Sequence, residues 1–238
     1  YGEMGRYAGL VRVFYRPLLL EDLAPPKYTE SASLSGLAHT ANGTAGWPAE
    51  SHTEGALDFG PGAAVNDVDG DGDLDILLTS TSPEGRPILY LNREGHFSPA
   101  TDSGLENTGT IGAFFGDYDK DGDPDLYITR AGPNRLYRND GRGDFENVTE
   151  EGGMGTDPFL SVGAAWADAD HDGDLDLYVA NFSSWPPSSE TGASNHLWRN
   201  NGDGSFANLA SEAGIDGGAA ATASVVFFDA DDDRDFDI

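Results

Sequence analysis

The chain has 238 residues, with 13 Lys+Arg against 42 Asp+Glu and a formal net charge of -29. That balance excludes nucleic acid as a partner, because a phosphate backbone demands clustered Lys and Arg. The absence of Cys excludes disulfides, thiolate metal sites and thiol nucleophiles. No window carries the roughly 18 consecutive apolar residues of a membrane-spanning helix.

In chain order, residues 1–27 read as a leader or linker with a trimmed start, ending at the breaker Ala24-Pro25-Pro26. A repeat segment then fills residues 28–238, and Tyr28 to Leu37 resembles the closing piece of a later unit, Phe145 to Gly152. The units run over about 60–109, 110–160 and 161–221, with an incomplete fourth over 222–238. Each opens on a run of small and apolar residues: Gly62 to Val65, Gly112 to Phe115, Gly163 to Trp166 and Ser224 to Phe228. A nine-residue acidic loop follows, then a β-rich run in the first three units: Ile76 to Thr79, Leu126 to Thr129 and Leu177 to Ala180. Next come Leu89-Tyr-Leu-Asn92, Leu136-Tyr-Arg-Asn139 and Leu197-Trp-Arg-Asn200, each leading through a Gly turn to Phe97, Phe145 or Phe206.

Short β-branched and aromatic runs bounded by Gly, Asn and Asp predict strands and hairpins. Four such strands in each unit of about 50 residues predict an all-β fold of β-propeller blades, each a four-stranded antiparallel sheet. Helical repeats would need longer runs with a 3.6-residue period, and the sequence has none.

The four loops begin at residues 67, 117, 168 and 229 and hold 20 of the 42 acidic residues. Loop 1 carries Asp67, Asp69, Asp71, Asp73 and Asp75; loop 2 carries Asp117, Asp119, Asp121, Asp123 and Asp125. Loop 3 carries Asp168, Asp170, Asp172, Asp174 and Asp176; loop 4 carries Asp229, Asp231, Asp233, Asp235 and Asp237. Asp at positions 1, 3 and 5, Gly at 6 and Asp at 9 curl carboxylates around one point. Oxygen donors without His or Cys select Ca²⁺ over zinc or copper. An EF-hand would close with Glu at position 12, where this chain has Leu78, Ile128 and Val179.

These loops, together with Leu136 to Gly153 and Leu197 to Gly214, resemble the FG-GAP/VCBS repeats, the calcium-binding propeller blades of integrin α chains and many exported bacterial proteins. Within that group the chain is most similar to the acidic cartilage protein (ASPIC/UnbV-associated) branch. The resemblance implies Ca²⁺ held by side chains at positions 1, 3, 5 and 9 and by the backbone carbonyl at position 7. It implies three firm sites and a weaker fourth, where Arg234 replaces the Gly at position 6. The commonest closed form of the family has seven blades, so the segment is expected to be part of a larger propeller.

Other features invite alternative readings. Arg142-Gly-Asp144 falls in a hairpin turn and reads as turn chemistry. His39, His52, His96, His171 and His196 show no metal spacing, and Asn42, Asn147 and Asn181 begin glycosylation sequons that matter only in a eukaryotic secretory protein. The insertion over 183–195, with Trp185 between Ser and Pro, joins the second and third strands of its blade on the face opposite the acidic loops. No nucleophile elbow, phosphate-binding loop or zinc-protease helix is present. The function expected is a calcium-stabilised, non-catalytic module of an exported protein, extracellular or periplasmic. Its partner would be a protein or glycan, and its unfinished blade edge is open to pairing with another chain. The alternatives are the scaffold of an exported enzyme whose catalytic part lies outside the chain, and a structural subunit of a larger complex.

Overall fold

Runs of β-branched and aromatic residues between Asp- and Gly-rich turns pair here as antiparallel meanders. The computed structural model describes residues 62–80, 85–106, 109–155, 159–184, 186, 192–218, 220–231, 233 and 235–238. The expectations for residues 1–37, His39, Asn42, His52, Trp185 and Arg234 lie outside the described residues.

The first sheet joins β1 (Ala63–Asn66), β2 (Asp75–Leu78), β3 (Ile88–Arg93) and β4 (His96–Pro99) in that order. The second joins β5 (Gly112–Gly116), β6 (Asp125–Thr129), β7 (Arg135–Asn139) and β8 (Phe145–Asn147). The third joins β9 (Phe159–Ala167), β10 (Asp176–Ser184), β11 (His196–Asn200) and β12 (Phe206–Asn208). All neighbours are antiparallel, and equivalent registers recur: Val65 faces Ile76, Phe115 faces Leu126 and Trp166 faces Leu177. Among the described residues there is no helix. This is the architecture of β-propeller blades. Among the described residues of the fourth unit, one bridge forms, between Phe228 and Asp237. Val226, Phe228, Phe236 and Ile238 are about half exposed or more, while Phe227 meets the Tyr178 ring of the third blade edge-on.

The blades stack face to face through side chains that alternate along each strand. Leu126 and Ile128 of β6 join Val68, Leu77 and Leu89 of the first blade. The intervening Tyr127 turns to the other side and joins Leu177, Val179 and Trp198 of the third. On β7, Tyr137 takes the first side and Leu136 the second. All five residues of β6 are therefore buried, which explains a continuous apolar run where a one-sided sheet would alternate. In β2, by contrast, buried and half-buried residues alternate.

In the first three units the small-residue runs fall in the first strands, where β1 packs beside β5 and β5 beside β9. At Gly116 an added Cβ would lie 2.8 Å from the Trp166 ring, whose indole N–H donates to the Phe114 carbonyl at 3.2 Å. Space for the next blade's aromatic ring thus sets the residue size here.

Because the Leu126 side chain is fully buried between two blades, Leu126→Ala removes contacts from an interface rather than from one sheet. Equilibrium urea unfolding should show a loss of about 2–5 kcal/mol, the range for a Leu-to-Ala cavity in a packed core. A change below about 1 kcal/mol would mean that the blades are not packed in this way.

Candidate metal centre

Each of the first three acidic loops connects the first to the second strand of its unit, the fourth lies between the bridge partners Phe228 and Asp237, and the turn that brings the carboxylates together has a backbone cause. Position 4 lies in the left-handed region at Gly70 (φ 69°), Lys120 (φ 61°) and His171 (φ 60°). Position 6 lies further out at Gly72 (φ 93°), Gly122 (φ 99°) and Gly173 (φ 91°), beyond the well that L side chains tolerate. Gly at position 6 is thus a conformational requirement.

Position 1 folds back over the turn. Asp67 Oδ2 accepts from Gly72 N at 2.9 Å, and Asp117 and Asp168 Oδ2 accept from Gly122 N and Gly173 N at 3.1 Å. Position 5 caps position 7: Asp71, Asp121, Asp172 and Asp233 Oδ1 accept from Asp73, Asp123, Asp174 and Asp235 N, each at 2.9 Å.

Position 9 begins the second strand and is almost wholly buried, with Asp75 and Asp176 1% exposed and Asp125 0%. One of its oxygens accepts the amide of position 2: Val68 to Asp75 (2.9 Å), Tyr118 to Asp125 (3.1 Å), Ala169 to Asp176 (2.9 Å) and Ala230 to Asp237 (2.7 Å). The other accepts the amide of the Asn that ends the Leu-aromatic run: Asn92 (2.8 Å), Asn139 (2.9 Å) and Asn200 (2.8 Å).

Oxygens within 4.8 Å of one another come from Asp67, Asp69 and Asp71 in loop 1, and from Asp117, Asp119 and Asp125 in loop 2. Loops 3 and 4 contribute Asp168, Asp170 and Asp176, and Asp229, Asp231 and Asp237. The side chains of position 7 point elsewhere. Asp73 Oδ2 accepts from Glu94 N at 2.7 Å, and Asp174 pairs with Lys120 at 2.5 Å across the blade boundary. Asp235 contacts His171 at 3.1 Å. The Asp123 carboxylate lies where a Cβ on Gly141 would stand, and Gly141 itself has φ 75°.

The decisive feature is what remains unpaired. Asp69 Oδ1, Asp117 Oδ1 and Asp168 Oδ1 are buried, have no hydrogen-bond partner, and belong to the three clusters just described. A buried carboxylate oxygen without a donor is costly, and a cation among its neighbours removes that cost. The donors are all oxygen, so the residues present fit a hard divalent ion such as Ca²⁺.

Loop 1 differs from its siblings. Arg93, following Asn92 where the other units have Asp140 and Asn201, extends its guanidinium to Asp71 and, at 2.6 Å, to Asp69 Oδ2. Neither this internal cation nor the clasp made by Asn92, Asn139 and Asn200 was read from the sequence. The clasp had a visible signal in the recurring Asn; Arg93 had none, because it breaks the repeat.

A family model described as the FG-GAP-like repeat matches residues 67–128 and 117–179. That match supports the FG-GAP repeat family. No curated protein matches the chain. Among solved structures, one of a lectin from Agrocybe aegerita, described as recognising non-reducing terminal N-acetylglucosamine, is 21% identical with a TM-score of 0.41. It aligns with 68% of this chain and 41% of its own, and at that level it carries no weight for ligand or mechanism.

Burial pushes the Asp125 carboxyl up to about 7, outweighing the two backbone amides that pull it down, and the charges of Asp119 and Asp121 add to the rise. Burial likewise raises Asp75 and Asp176. An acid whose folded pKa is raised stabilises the fold at low pH and loses that contribution as pH climbs through the folded value. The metal-free protein should therefore melt at lower temperature as pH rises from about 4 to 7, measured by thermal unfolding in chelator. A melting temperature rising across that window would contradict the assignment.

Proposed function

We propose that the chain is a calcium-stabilised, extracellular β-propeller module that binds or assembles and does not catalyse. It would belong to the acidic cartilage protein branch of the FG-GAP repeats and form part of a seven-bladed ring. The observation that carries this reading is the set of buried, unpartnered oxygens on Asp69, Asp117 and Asp168, one in each of three repeated loops.

With calcium bound, Asp67, Asp69, Asp71 and Asp75 would supply loop 1, Asp117, Asp119, Asp121 and Asp125 loop 2, and Asp168, Asp170, Asp172 and Asp176 loop 3, each joined by the carbonyl of position 7. Bound there, the ion supplies positive charge that relieves carboxylate crowding; no reaction is assigned to it. The acidic triplet of loop 4 is exposed, which supports a weaker fourth site. Arg93 competes for loop 1. Sites of this oxygen-only type fill at the millimolar calcium found outside cells, which supports an exported location. Among the described residues no helix is long and apolar enough to cross a membrane.

For the partner, the supporting feature is a cleft of about 520 Å³ lined by Glu106, Pro133, Arg135, Asn147, Thr149, Glu150 and Glu151. It opens near the 130–134 connection, between second and third strands, at the end of the blade opposite the acidic loops. Glu106 accepts there from Asn147 at 2.8 Å and from Arg135 at 3.4 Å. Amide, guanidinium and carboxylate groups at one mouth suit the hydroxyls of a glycan or the polar side chains of a protein.

Isothermal titration with Ca²⁺, paired with thermal unfolding in calcium and in chelator, tests the reading. Three ions should bind firmly, and chelation should lower the melting temperature by well over the roughly 2–4 °C that 1 kcal/mol moves a domain of this size. Unchanged melting after complete metal removal would refute it.

A further inference from the structure

We propose that Asn139 and Asn200 couple the acidic loops, so that a cation bound in one loop raises the affinity of its neighbour. This inference rests on the reading of those loops as calcium sites. Each Asn is buried, 2% and 1% exposed, and each bonds to two successive loops.

The backbone amide of Asn139 donates to Asp125, the ninth residue of loop 2, at 2.9 Å. Its side-chain amide donates at 2.8 Å to the carbonyl of Val68 in loop 1. Val68 sits between Asp67 and Asp69, and its own amide donates to Asp75. Asn200 repeats the arrangement one blade on, with its backbone amide on Asp176 of loop 3 at 2.8 Å and its side chain on the Tyr118 carbonyl of loop 2 at 2.8 Å. Tyr118 lies between Asp117 and Asp119 and donates to Asp125.

A continuous hydrogen-bonded path therefore runs from Asp75 through Val68, Asn139, Asp125, Tyr118 and Asn200 to Asp176. Every carboxylate on it begins a second strand and contributes to an acidic loop. Each carbonyl on it lies between two residues whose side chains face the cluster. Ordering loop 3 around a cation fixes Asp176, and with it Asn200. Asn200 in turn fixes the Tyr118 carbonyl and the turn of loop 2. The neighbour then binds with part of its ordering cost already met, which is positive coupling between two sites through a shared element.

The side-chain amides of both Asn residues also reach position 8 of their own loop, at 3.2 Å to Pro124 and 3.4 Å to Leu175. One amide thus holds two loops in register. A second link, Lys120 to Asp174, crosses the same boundary at the surface and is screened by salt, whereas the Asn path is buried.

The test is a site-resolved calcium titration of the full chain, followed at the amide resonances of Gly72, Gly122 and Gly173, which bond to position 1 of loops 1, 2 and 3. It is run at high salt, first on the wild type and then on the loop 3 variant Asp168→Asn with Asp170→Asn. The expected result is a fall in loop 2 affinity of about 5-fold or more. Repeating the pair of titrations in an Asn200→Ala background should leave loop 2 indifferent to loop 3. Unchanged loop 2 affinity in the loop 3 variant, with calcium still bound by the wild type, overturns the coupling while leaving the calcium reading standing. A loop 2 that still responds to loop 3 in the Asn200→Ala background overturns the assignment to Asn200, and Asn200→Gln takes its place if the Ala variant does not fold. No calcium uptake by the wild type overturns the calcium reading and the coupling with it.

Discussion

The constraint on which this fold depends is the burial of a carboxylate at the start of each second strand. Asp75, Asp125 and Asp176 are removed from water and accept two backbone amides apiece. One amide belongs to the acidic loop and the other to the third strand, so a single side chain ties three parts of a blade together. Burial raises the energy of the ionised form, and the neighbouring loop carboxylates raise it further. The amides offset part of this cost. A bound cation would offset the rest, and the unpartnered oxygens of Asp69, Asp117 and Asp168 lie in the clusters that could hold it.

This coupling explains why scaffold and site cannot be separated in these repeats. The loop turn requires Gly at position 6, the loop's first carboxylate closes on that Gly, and its ninth carboxylate anchors the strand that carries the core residues Leu77, Leu126 and Leu177. Those residues pack between blades. Removing a bound cation would therefore be felt in the hydrophobic contacts as well as in the loops. The arrangement follows the general rule that a site formed only in the folded chain makes metal binding part of folding free energy.

Much of this was legible in the sequence, because the repeat displays each element three times. The apolar runs Leu126 to Thr129 and Leu177 to Ala180 fall in β6 and β10, and the first three small-residue runs fall in β1, β5 and β9. The acidic triplets were marked by their spacing alone. What could not be read was the second partner of each group. Asp at position 9 looks like one ligand among five, and only the fold reveals that it is also the hub of the backbone network. The Asn of Leu136-Tyr-Arg-Asn139 recurs visibly, yet its bond to Val68 spans 71 residues, a distance over which no local pattern speaks. Arg93 was hidden for the opposite reason. It departs from the repeat, and its reach into loop 1 depends on the hairpin formed by Glu94 and Gly95, whose positive φ values of 53° and 86° give the tight two-residue turn.

The central claim is that buried acidic oxygens are completed by calcium. An anomalous difference map from calcium-loaded crystals tests it most directly. The account predicts peaks about 2.3–2.6 Å from Asp117 Oδ1 and Asp168 Oδ1, the calcium–oxygen range. Ordered loops whose carboxylates bind only water, with no anomalous signal, would contradict it.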